Sequence, residues 1–155
     1  MDYRELSNLA CATLISVVEA AADMGIDIPL LWNRMTYSME NSLKGILKDA
    51  NIDFSGNTAE SIAKNFADNI KKLGACQRVD LREASNNKIV IALGDCIFNV
   101  AAKYLRHGKN DFIPLCPITA ILGGRLEAIL DKKVHIEQYE WHPEINSCVF
   151  TLLME

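Results

Sequence analysis

The feature that most constrains this chain is a change of hydrophobic period at Gly74. Before it, apolar residues recur every three or four positions, the spacing of one helix face. From Gln77 onward they alternate with polar residues, as in a strand with one wet face. Helical spacing then returns between two alternating stretches. Such a chain is an α+β domain, in which helices cover a mostly antiparallel sheet.

The first helix is expected over residues 2–24, with Leu6, Leu9, Thr13, Leu14, Val17, Val18 and Ala21 inward and Gly25 as its stop. A second, over 29–50, carries Leu31, Met35, Met39, Leu43, Ile46 and Leu47, with Trp32 and Tyr37 off the main stripe. A third, capped by Asn57 or Thr58, runs to Leu73 with Ile62, Phe66, Ile70 and Leu73 inward. Strands are expected at 77–83 and 88–93, joined by Ser85-Asn86-Asn87, and at 134–140 and 147–153, joined by a turn with Pro143. Between these hairpins lie a short helix at 97–105 ended by His107-Gly108, a polar loop at 109–111, and a helix entered at Pro117. The expected architecture is a helical amino-terminal half packed on a four-stranded sheet of two hairpins, in one domain over residues 1–155.

The helix over 117–130 carries the densest information. Pro117 suits the first helical position, where its missing N–H costs nothing. Cys116 then falls at or beside the N-cap, where unpaired amides and the helix dipole favour a thiolate. Ile118, Ile121, Leu122, Leu126 and Ile129 form an apolar stripe, interrupted by Gly123 and Gly124. Each glycine costs about 1 kcal/mol relative to alanine inside a helix, so the pair implies a close approach by another helix, the sheet or a ligand. Arg125 and Glu127 fall in the arc expected to be exposed.

The formal net charge of −4, with no compensating basic run, argues against nucleic acid as the main partner. The longest apolar run is well short of the ~18–20 residues that span a bilayer, and the charged start Asp2-Tyr3-Arg4-Glu5 does not resemble a secretory signal. A cytoplasmic location without a membrane span is expected. Five cysteines with no CxxC pair read as free thiols of a reducing compartment. No P-loop, GxSxG, HExxH or dinucleotide fingerprint is present, so no catalytic residue is assigned. Cys96, Cys116, His142 and Cys148 lie at element boundaries or turns, and three sulfurs with an imidazole would satisfy tetrahedral zinc. Their separations of twenty, twenty-six and six residues match no standard zinc framework.

The run Asp95-Cys96-Ile97-Phe98, then Cys116-Pro117-Ile118 with Gly123-Gly124-Arg125-Leu126-Glu127, and the ending Cys148-Val149-Phe150 together resemble the 4-vinyl reductase domain family. Its members are often called hydrocarbon-binding proteins, and its fold is related to that of vesicle-tethering TRAPP subunits. In place of the cysteine and glycine common in the family's last turn, this chain has Glu140-Trp141-His142-Pro143-Glu144-Ile145-Asn146, which leaves His142 as the substitute ligand if a metal is bound. The resemblance implies a non-catalytic module that encloses a hydrophobic small molecule between helices and sheet, and a homodimer formed through helices. The residues expected to line the ligand are Trp32, Met35, Met39, Cys116, Ala120, Gly123 and Gly124. A metal-binding protein, or an assembly subunit without ligand, is the alternative.

Overall fold

The structure, a computed structural model, describes residues 3–49, 54–99 and 116–155. Three helices come first: α1 (Tyr3–Asp23), α2 (Ile28–Asp49) and α3 (Ala59–Lys72). Strands β1 (Cys76–Ala84) and β2 (Lys88–Cys96) follow, then α4 (Pro117–Leu130), β3 (Val134–His142), a 3-10 turn (Pro143–Ile145) and β4 (Ser147–Met154). Most of the short helix expected at 97–105 and the loop at 109–111 lie outside the described residues.

Both expected hairpins form, and β2 pairs with β4 to join them into one antiparallel sheet of order β1-β2-β4-β3. The strands run longer than alternation alone indicates. Gly94, Asp95 and Cys96, expected to lead into a helix, instead extend β2. The inner face of the sheet presents Val79, Leu93 and Cys148 in one row, and Leu81, Ile91, Phe150 and Tyr139 in the next. Tyr139 and Phe150 stack with ring centroids 5.0 Å apart.

Helix α3 begins at a reciprocal cap. The Thr58 hydroxyl accepts from Ser61 N–H at 3.1 Å, and the Ser61 hydroxyl accepts from Thr58 N–H at 3.1 Å, which satisfies two otherwise orphaned donors. Its buried face, Ile62, Ala63, Phe66, Ala67 and Ile70, lies against β1. Helix α4 is buried nearly all round, touching α2, α3 and β3. That makes it the centre of the helical layer.

Two expectations about α1 and α2 are corrected. The apolar residues of α1 do not share one face: Cys11, Val18 and Ala21 are buried, whereas Leu9 and Val17 are 58% and 52% exposed. The helix carries more apolar residues than one core contact can cover, so they divide between two sides. On α2, Trp32 is not off the stripe but among the most buried side chains of the protein, with Thr36 one turn on. Tyr37 stands outside, 68% exposed.

Candidate functional site

The close approach implied by Gly123 is helix against helix. A Cβ at this position would stand 2.8 Å from Cη2 of Trp32 and 3.0 Å from Cγ2 of Thr36. The indole therefore occupies the space that a side chain on α4 would need. Trp32 Nε1 is buried and has no hydrogen-bond partner among the described residues. Beside it, the Thr36 hydroxyl donates to Asn33 O at 2.7 Å and stands 3.5 Å from Oε2 of Glu127. Glu127 Oε1 accepts from the buried Val134 N–H at 3.0 Å. Glu127 is thus no exposed surface charge: it ties α4 to the first residue of β3 and reaches across to α2. Arg125 is likewise half-buried. Of the expected ligand-lining residues, Trp32, Ala120, Gly123 and Gly124 are buried, and Met35 and Met39 pack partly buried against the core.

Cys116 is the N-cap of α4 with Pro117 following it, as the sequence predicts. Its thiol is nonetheless not activated. Burial pushes its pKa up to about 12, with the neighbouring Cys96 adding to the shift, and hydrogen bonds from Thr119 and Ile118 oppose it only in part. Desolvation outweighs the helix end here.

Of the four residues considered as zinc ligands, Cys96 and Cys116 are neighbours, while Cys148 and His142 lie elsewhere. The adjacent Cys76 thiol, together with burial, raises the Cys96 pKa. The Cys148 thiol faces Asn99 Oδ1 at 3.7 Å and the Tyr139 hydroxyl at 3.6 Å. His142 lies at the sheet end between Glu140 and Glu144, at 3.2 and 3.3 Å. Among the described residues, no group of three or more histidine, cysteine or acidic side chains is placed to hold a metal ion. Spacing along the chain could not reveal this, because the register of β2 against β1 and β4 decides which thiols meet.

Surface concavities are also formed among the described residues. One is an open apolar groove of about 520 Å³ formed by Leu9, Ala10, Thr13, Leu14 and Val17 of α1 with Phe98 and Pro117. Another, about 900 Å³ and more polar, runs between α2 and β3 past Arg34, Tyr37, Glu127, Lys133 and His135. The first groove is built on the outward half of α1's apolar set, whose inward half is anchored by Val18 and by the Cys11 thiol donating to Ile97 O at 3.1 Å. Sequence reasoning placed Leu9 and Val17 in the core. Their spacing from Thr13 by four on either side, against the 11, 14, 18, 21 set, is the signal that separates the two faces.

This architecture, helices over a four-stranded antiparallel sheet, is that of the TRAPP subunits. The chain superposes on subunit 3 of a trafficking protein particle complex from Naegleria fowleri, a structure covalently bound to palmitic acid, with a TM-score of 0.64 at 17% sequence identity. The match covers 96% of this chain and 95% of that one. No family model matches the chain, and no curated protein matches it in sequence. Among the described residues, no helix is long and apolar enough to cross a membrane.

Proposed function

We propose that this chain is a non-catalytic assembly subunit that pairs with a second copy of itself through the outward face of α1. The observation that carries this reading is the exposed apolar stripe of Leu9 and Val17 over a groove almost free of polar groups. A helix with an apolar face on each side of its axis belongs between two bodies. The TRAPP-subunit fold supports it, since the solved relative is a subunit of a complex. Light scattering on purified protein tests the reading: a dimer is expected for the native chain and a monomer for Val17→Asp. A native chain that stays monomeric at high concentration would defeat it.

The palmitic acid in the solved relative favours a second reading, in which a fatty acyl chain or similar hydrocarbon binds this protein. This is also the activity implied by the resemblance to hydrocarbon-binding proteins. In this reading the ligand enters among Trp32, Met35, Met39, Cys116, Ala120, Gly123 and Gly124, and Trp32 swings away from Gly123 to admit it. Native mass spectrometry of protein mixed with palmitate is the test. Absence of an adduct at saturating lipid excludes this occupant.

A further inference from the structure

We propose that Cys76 and Cys96 are a redox pair, which hydrogen peroxide joins as a disulfide across the open end of the β1–β2 hairpin. The two residues are directly opposite in the antiparallel register. Such partners have Cα atoms about 4.5–5.5 Å apart, within the range of roughly 4.4–6.8 Å that a disulfide spans. One residue beyond the pair, the Ile97 N–H donates to Ala75 O at 2.9 Å, which holds the strand ends together. Both side chains are buried in the same core, where they are neighbours. The remaining thiols are less well placed: Cys11 is turned to the Ile97 carbonyl, and Cys148 to Asn99 and Tyr139. Cys116 lies near Cys96 but on the cap of α4, not across a strand pair from it.

The chemistry balances with peroxide as the oxidant. The sulfur of Cys96, slightly exposed where Cys76 is fully buried, attacks one peroxide oxygen. The O–O bond breaks, a sulfenic acid forms and one water leaves. The Cys76 sulfur then attacks the sulfenic sulfur, the S–S bond forms, and the hydroxyl departs as a second water with the Cys76 proton. Two electrons pass from the two thiols to the peroxide. Both sulfurs are buried at the strand end, so the first step waits on fraying there and the pair responds slowly. Because Ile97 O also receives the Cys11 thiol, the bond would fix the segment that anchors α1.

The experiment is oxidation of the folded chain with hydrogen peroxide, alkylation of the remaining thiols, proteolysis without reductant and mass spectrometry of the peptides. The expected result is the Cys76 peptide joined to the Cys96 peptide, reversed by dithiothreitol. The thermal midpoint of the linked protein should rise by on the order of 5 °C. Recovery of all five cysteines as alkylated thiols overturns the proposal, and so does Cys96 linked to Cys116 as the main product. Oxidation in guanidinium is the control. Both candidate pairs are separated by twenty residues in sequence, so an unfolded chain has no reason to prefer either. A preference for Cys76–Cys96 that survives unfolding would show that the fold does not create it.

Discussion

At Gly123 even a methyl group is too large. Its Cβ would fall within 3.0 Å of both Trp32 and Thr36, atoms held in the core of two packed helices. Overpacking of this kind costs about 1–3 kcal/mol, whereas alanine regains up to ~1 kcal/mol of helix propensity. Gly123→Ala should therefore lose up to about 2 kcal/mol in urea unfolding. Trp32→Phe removes the benzo ring that stands nearest, so the double variant should be more stable than the sum of the two single losses predicts. Strict additivity would show that the indole is not what excludes the methyl. Glycine inside an apolar stripe announces a close approach, and that much can be read from sequence. That the intruder is Trp32 cannot, because α2 and α4 are far apart in the chain and meet only in the fold.

Asp95 supplies a second residue-scale case. It sits at φ 47°, a conformation more tolerable for aspartate and asparagine than for most residues. Its carboxylate accepts from Asn146 Nδ2 and from Arg78 Nε, both at 2.9 Å. Gly94 leaves room for that guanidinium to lie across β2. The Asn146 bond first, then Arg78, holds the Asp95 pKa below the usual carboxylate value. A carboxyl with a depressed folded pKa contributes stability above its unfolded pKa of about 3.9 and loses it as pH falls through the folded value. Asp95→Asn keeps the backbone preference but not the charge. Its thermal midpoint should lie below that of the native chain at neutral pH, and the two should converge below about pH 4. A gap that does not change with pH would remove ionisation of Asp95 from the account.

Among the elements, α4 is held by more than its apolar stripe. Glu127 joins it to β3 through the Val134 amide and faces the Thr36 hydroxyl on α2. Glu127→Ala would leave that buried amide without an acceptor, at a cost of about 1–3 kcal/mol. Glu127→Gln keeps an oxygen in reach and should recover most of the loss. Chemical denaturation of the two variants checks this, and equal losses would mean that the charge matters more than the hydrogen bond. The boundaries of α4 were legible from Pro117 and from the end of its apolar run. The role of Glu127 was not, since periodicity places it on the polar arc and the partner that buries it comes from the following strand. The sheet shows the same division. Apolar patterning and turn residues located the four described strands, but their order depends on the pairing of β2 with β4, which no local pattern encodes.

At the scale of the whole molecule, α1 is a helix with an unfinished surface. Val18 and Cys11 bind α1 to the rest of the protein, while Leu9 and Val17 face outward over the apolar groove. Burying a valine or leucine side chain is worth about 1.5–3 kcal/mol, so a two-fold contact that repeats both residues on each copy covers enough apolar surface to matter to folding. If the dimer is the stable form, association contributes to the stability of α1, and the thermal midpoint must rise with protein concentration. A tenfold increase in concentration should raise it by a measurable step in the native chain and leave it fixed in Val17→Asp. The variant should also expose the amides of α1 to faster hydrogen exchange than those of α3, whose buried face and capping box do not depend on a partner. A native midpoint that is independent of concentration, together with unchanged exchange in Val17→Asp, would mean that the outward face of α1 plays no part in stability. The fatty acyl reading would then be the one to pursue.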